Sequence, residues 1–159
     1  MKFLAKVIAI AALVLTLLAS CGRGRRSYSG WETLPERGWA YGDTVKLNVL
    51  NPKLTDNDST LDGSTLLLGL RHGYDYPYSN IWLEVSFHTD SLHYMRDTVN
   101  IRLADIYGRW LGKGFGANYQ TEVPLATNTR VDLTREVSVR HIMRVDTLRG
   151  LIDIGIEVR

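Results

Sequence analysis

Four histidines, His72, His88, His93 and His141, are the side chains best suited to move protons or hold a metal, and they stand far apart in this 159-residue chain. No His-Glu-x-x-His pair and no second cysteine accompanies them, so a metal site would have to be assembled by folding alone. Serines are plentiful, yet no Gly-x-Ser-x-Gly elbow raises one as a nucleophile. Asp97, Asp105 and Asp153 would serve as acid and base only if the fold brought them together, and surface charge is their default role. A glycosidase would need two carboxyl groups roughly 5 to 10 Å apart in a cleft. The expectation is a protein that is not an enzyme and carries neither metal nor cofactor.

One glycine-rich string, Gly108-Arg109-Trp110-Leu111-Gly112-Lys113, invites comparison with a phosphate-binding loop. It is one residue short of that spacing, lacks Ser or Thr after Lys113, and opens no helix, which excludes a nucleotide site there. Gly112, Gly114 and Gly116 fit a loop or bulged strand needing positive φ or close backbone approach. Trp110 and Phe115 are then expected to pack inward with Lys113 facing out. A partner-docking loop is the other reading of the same residues. Tyr74, Tyr76 and Tyr78 are open in the same way: phenolic rings favour interfaces, and a Tyr-Pro turn also seals a sheet edge. Ser79 and Asn80 are expected to bond to the turn's own backbone.

The reactive residue with the clearest assignment is Cys21. A basic start at Lys2 and Lys6 precedes an apolar run from Val7 to Leu18, too short for the roughly 20 residues of a membrane-crossing helix. Leu18-Ala19-Ser20-Cys21 follows and resembles the lipobox of bacterial lipoproteins. Residues 1–20 are therefore expected to be removed and Cys21 to carry the only covalent group, a lipid. Each buried CH₂ contributes about 0.8 kcal/mol, so two or three acyl chains hold a protein on a bilayer far longer than one. Without lipid, Cys21 would be a lone thiol in an oxidising compartment.

The net charge of +2 belongs to the precursor. Removing Lys2 and Lys6 from nineteen basic residues leaves seventeen against seventeen acidic ones, which gives no global field suited to nucleic acid. Local basicity remains at Arg23, Arg25 and Arg26, where each side chain would add about 1 kcal/mol of attraction to anionic lipid.

The elements that must position these residues show themselves by period-two alternation, the mark of half-buried strands. Val45, Leu47 and Val49 form one set, Leu66, Leu68 and Leu70 another, and Ile81, Leu83, Val85 and Phe87 alternate with Trp82, Glu84, Ser86 and His88. Val99, Ile101 and Leu103 continue the pattern. Val137, Val139 and His141 share a face, as do Ile152, Ile154, Ile156 and Val158. Turn chemistry falls at Asn51-Pro52, within the polar stretch 55–64 containing Asp62-Gly63, at Tyr76-Pro77 and at Arg149-Gly150. A helical turn is conceivable only within 137–144. The expected fold is all-β, an antiparallel, jelly-roll-like β-sandwich. Residues 21–42 are expected to be a lipidated tether, with Trp31 and Trp39 docking on the domain's edge, and 43–159 a single domain.

Three strings carry a resemblance: Arg71-His72-Gly73-Tyr74-Asp75-Tyr76-Pro77-Tyr78-Ser79-Asn80-Ile81-Trp82-Leu83, then Tyr107 through Gly116, then Arg140-His141-Ile142-Met143-Arg144 followed by Leu148, Gly150 and Asp153-Ile154-Gly155. In this order they resemble the gliding-motility lipoproteins called GldH. The resemblance implies an envelope lipoprotein, needed in gliding bacteria for surface motility alongside a protein-secretion apparatus, with homologues in non-gliding relatives. No catalytic residue comes with it. Its partners would be the membrane, through the lipid, and envelope proteins of that machinery; its location would be the outer membrane, facing the periplasm. The surface expected to meet partners comprises Tyr74, Tyr76, Tyr78, Trp82, Arg109, Trp110, Lys113 and Phe115. The alternative is a carbohydrate-binding lipoprotein, with Trp82, Trp110 or the tyrosines as a stacking platform.

Overall fold

The computed structural model describes residues 28–48, 60–132 and 134–158. The expected signal peptide, Cys21 and its following arginines, Val49 and the Asn51-Pro52 turn lie outside the described residues. Every regular element described is a strand. Two antiparallel sheets enclose the core. In the larger, β1 (Tyr28–Thr33), β11 (Leu151–Val158), β4 (Thr60–Gly73), β8 (Asn118–Asp132) and β7 (Lys113–Phe115) lie side by side in that order. The smaller has the order β3 (Val45–Leu47), β9 (Val137–His141), β5 (Asn80–His88) and β6 (Tyr94–Arg102). β2 (Trp39–Ala40) and β10 (Thr147–Leu148) pair as a short ribbon.

The alternation read from the sequence builds the core directly. Ile81, Leu83, Val85 and Phe87 on β5 are buried, as are Leu66, Leu68 and Leu70 on β4 and Ile154 and Ile156 on β11. Together with Leu47, Val137, Val139 and Ile101 they form one cluster between the sheets. Truncating such a leucine to alanine costs about 2–5 kcal/mol. β9 continues its inward face to His141, so residues 137–141 are strand and not a helical turn.

Several expectations are corrected. The segment to Gly42 is not tether throughout, because Tyr28–Thr33 pairs with Asp153–Val158 of β11 and joins the larger sheet as its edge. Trp39 lies in the core, 1% exposed, with its Nε1 donating to the Asp43 carbonyl at 3.0 Å. Asp62-Gly63 falls inside β4, where register shifts against β8 between Leu61 and Ser64 absorb it as a bulge. Ile152 also sits at a register shift, between Leu151 and Asp153, and is only half-buried.

Trp31 is laid flat on the outer face of the larger sheet. Its partner on β11 is Gly155, whose partner on β4 is Gly69. A Cβ at Gly155 would collide with the indole, and one at Gly69 would come within 2.5 Å of its Cη2. The two glycines form a floor that only missing side chains permit. Above it, the Arg71 guanidinium lies 4.2 Å from the Trp31 ring centroid and donates to Asp153 at 3.0 Å and Gln120 at 2.8 Å. Thr33 donates to the other Asp153 oxygen at 2.9 Å. One indole thus ties β1 across β11 to β4.

Gly155→Ala is expected to destabilise the domain by about 1–3 kcal/mol through this overlap. Adding Trp31→Ala should return part of that loss, a non-additivity readable in urea denaturation of the single and double variants. Strict additivity would show that the indole does not use the glycine floor.

Candidate functional site

Continuing the Leu66, Leu68, Leu70 alternation by one step reaches His72, fully buried at the end of β4. The loops flanking it are joined by main-chain hydrogen bonds. Gly73 N–H donates to Gly150 O at 2.8 Å, Tyr74 N–H to Ala117 O at 3.1 Å, and Leu103 and Ala104 N–H to Ser79 O at 2.8 and 3.0 Å. Leu111 N–H donates to Leu103 O at 2.8 Å, and Trp110 bridges Ala104. The β4–β5 connection, the β6–β7 connection, the β7–β8 turn and the β10–β11 turn therefore meet at one end of the sandwich.

Aromatic rings fill the space they enclose. The His72 ring centroid lies 4.5 Å from Trp110, 5.6 Å from Tyr119 and 5.7 Å from Tyr76. Tyr76 meets Tyr78 edge-on at 5.7 Å, and its hydroxyl donates to Asn80 O at 3.2 Å. Burial raises the Tyr76 phenol well above its ordinary pKa, with Tyr78 adding to the effect. Gly150, at φ 80°, lets the chain pass so close that a Cβ would come within 2.7 Å of Tyr76 Cα.

Two of the sequence-singled segments thus converge around His72, which lies near the start of the first. Tyr76 is buried, while Tyr78 and Trp110 are half-buried. Tyr74 is 71% exposed and Lys113 faces out. Phe115 stands opposite Asn118 in the β7–β8 hairpin, and its side chain lies outside the described residues. Trp82 is not part of the cluster: it points to the outer face of the smaller sheet, on the opposite side of β5 from Ile81 and Leu83. Arg109 is tied to its own loop, donating to Asp105 at 2.7 Å and lying over the Tyr107 ring at 5.4 Å. The Asn80 side chain reaches Asn100 on β6 at 2.8 Å and not the turn backbone. Trp82 and Trp110 do not lie side by side, since Trp110 packs in the cap and Trp82 stands on the outer face of the smaller sheet.

Of the string's glycines, Gly116 has the anticipated positive φ, 60°, and a Cβ on Gly112 would come within 2.6 Å of Gln120 O. Asp97, Asp105 and Asp153 belong to separate surroundings: Asp97 accepts from Thr98 N–H, Asp105 binds the Arg109 loop, and Asp153 binds Arg71 and Thr33. Among the described residues, no three His, Cys, Asp or Glu side chains come together as metal ligands.

The buried histidines are held neutral. His72 Nδ1 faces Gly73 O at 2.9 Å, and a carbonyl only accepts, so Nδ1 carries the hydrogen. Its Nε2 is buried without a hydrogen-bond partner. His141 Nε2 donates to Trp39 O at 3.1 Å, and the ring meets Trp39 and Tyr41 edge-on at 5.4 and 5.6 Å. Burial pushes both imidazoles below the ordinary histidine pKa.

What this end of the molecule provides is a rigid cap of rings and backbone bonds. The fold and cap define a class: an all-β domain whose ordered loops are built by aromatic packing rather than by converging titratable groups. The chain belongs to the GldH lipoprotein family, whose profile matches residues 26–158. It is similar to a gliding motility lipoprotein GldH homolog of Christiangramia forsetii, 27% identical over 94% of this chain and 92% of the relative. It is also similar to the gliding motility lipoprotein GldH of Flavobacterium johnsoniae, 24% identical over 94% of this chain and 93% of that protein. The family is thus one of lipoproteins linked to gliding motility.

A pH dependence follows from the two histidines. Their folded pKa values lie below the unfolded value near 6.5, so the unfolded chain binds more protons as acid is added. Stability is full above about pH 6.5 and falls as pH drops from there through the folded pKa values, by up to ~1.4 kcal/mol per pH unit for each histidine. Denaturant titrations between pH 7.5 and 5 should show this fall, and His72→Gln or His141→Gln should flatten it. An unchanged slope in both variants would assign the acid sensitivity elsewhere.

Proposed function

We propose that the chain is anchored to the outer membrane by lipid on Cys21, faces the periplasm, and serves without catalysis as an accessory component of the gliding motility and associated secretion machinery. The observation that carries this reading is the polarity of β11. Tyr28 stands opposite Val158 at one end of that strand, and His72 opposite Leu151 at the other. Seven residue steps of about 3.3 Å separate these ends by roughly 23 Å.

A chain arriving from Cys21 therefore joins the sheet at the end remote from the aromatic cap. On the cap's outer side stand Tyr74, Ile106, Tyr107 and Leu111, respectively 71, 86, 77 and 52% exposed. Large apolar side chains gathered on loops that a rigid scaffold holds are the usual makings of a protein-contact surface. The lipid would restrict the domain to two dimensions and raise its effective concentration beside membrane-bound partners. The relatives' names supply the machinery, and Arg23, Arg25 and Arg26 suit an anionic leaflet.

Cys21→Ala is expected to move the protein from the membrane pellet to the soluble periplasmic fraction and to abolish labelling by a palmitate analogue. Retention in the pellet would refute the anchor. A photo-crosslinking side chain at Tyr107 should give discrete adducts with envelope proteins, while one at exposed Ser29 on β1 should give none. Equal adducts from both positions, or none from Tyr107, would remove the cap as the contact surface. Ile106→Asp should lower the Tyr107 adduct yield severalfold at unchanged protein level.

A further inference from the structure

The outward face of the smaller sheet is unlike the cap, and strand register places its side chains. Glu84 on β5 stands opposite Arg140 on β9, and Ser86 stands opposite Ser138 on β9 and Arg96 on β6. Arg140 donates to Glu84 through Nε at 2.8 Å and Nη2 at 3.2 Å, while Arg96 Nε approaches the same carboxylate at 3.8 Å. Three strands thus carry a guanidinium–carboxylate–guanidinium row. The Glu84 side chain is 18% exposed, against 43% for Arg140 and 57% for Arg96. The carboxylate lies low between two cations that reach past it. Arg140 holds the Glu84 carboxyl below the ordinary carboxylate range, so it stays ionised and the row carries one net positive charge.

A cavity of about 440 Å³ opens over this row, with the hydroxyls of Thr44, Ser86 and Ser138 in its lining and Tyr94 at its side. A second, of about 550 Å³, shares Ser138 and adds Lys46, His88 and Arg135. Lys46 there pairs with Glu136 at 3.0 Å, and Arg135 lies 3.9 Å from Asp132. Aromatic rings stand at both ends of the run along β5. Trp82, 42% exposed, precedes Glu84 on the same face, and Tyr94, 60% exposed, stands opposite His88 with ring centroids 6.0 Å apart. From Trp82 to His88 the strand advances about 20 Å.

The ligand this groove fits must offer hydroxyls, flat apolar ring faces and negative charge along an extended body. Guanidinium forks recognise carboxylate and phosphate oxygens, clustered hydroxyls exchange hydrogen bonds with polyols, and exposed rings supply apolar contact with a polar edge. A compact anion would use the arginines but leave Trp82 and Tyr94 idle. A neutral glycan would meet the rings but leave the excess positive charge unanswered. We propose that this face binds an acidic oligosaccharide, a linear glycan bearing carboxylate or phosphate groups, lying along β5 between Trp82 and Tyr94. The site is separate from the aromatic cap and stands or falls apart from the motility reading.

Calorimetric titration of the mature full-length protein in detergent provides the test. The probes are a uronate oligosaccharide (a hyaluronan octasaccharide), a phosphorylated mannan oligosaccharide, a neutral chito-oligosaccharide and inorganic phosphate. At least one acidic oligosaccharide is expected to bind at least tenfold more tightly than the neutral one, and whichever acidic series binds identifies the charged group. Arg96→Gln and Tyr94→Ala should each weaken that binding at least fivefold with unchanged thermal melting, because neither side chain lies in the core. Tyr74→Ala, on the cap, should leave it unchanged. Absence of binding by both acidic probes at millimolar concentration would overturn the proposal. So would parity with the neutral glycan, or inorganic phosphate binding as tightly as the oligosaccharides.

Discussion

The position of β11 between β1 and β4 is the constraint on which the larger sheet depends. Its register with β1 brings the chain's first described strand into the fold, and its register with β4 sets where Leu66, Leu68, Leu70 and His72 fall relative to Ile154 and Ile156. A one-residue slip of β11 would turn Ile154 and Ile156 to the opposite face. Trp31 guards against that slip, because its indole rests on the two glycines that this register alone aligns. Arg71 and Asp153 close the arrangement from above.

The cap and the groove are different products of the same scaffold. Where strands end, main-chain hydrogen bonds between four connections leave a space that rings fill, and a neutral imidazole completes the packing. Where strands continue side by side, alternation sends every second residue outward, and the smaller sheet places opposite charges on adjacent strands. The first arrangement excludes water and is rigid by packing. The second leaves its two guanidinium groups partly exposed above the carboxylate between them.

Fold class was readable because most strands bury only one face. On β5 the pattern is uninterrupted, and each apolar residue named from the sequence is buried. β8 escaped notice for a physical reason. Pro124 breaks its pattern and is tolerated because β7 pairs only with residues 118–120, and among the described residues no strand pairs with that stretch of β8 on its other side. β1 was hidden differently, since Ser29, Gly30 and Glu32 suggest tether until Trp31 is seen to supply its anchorage. His72 was legible as the next step after Leu70, but its polar type drew attention to chemistry rather than packing. The register that sets Glu84 opposite Arg140 joins residues 56 positions apart, and no local pattern reports it.

The order of the strands also bears on biogenesis. The larger sheet cannot close until β11, which follows every other strand in the chain, is available to lie between β1 and β4. Pairings between such distant segments form slowly, because loop closure must precede the contacts that reward it. Anchored as proposed, the chain would pass through a membrane before it works, and one that cannot complete its sheet early would stay pliable during that passage. The same arrangement leaves β4 with an open edge in any chain interrupted before β11. Such a chain would present a ready template for aggregation, so truncation near the C-terminus would be a quality-control liability out of proportion to the few residues removed.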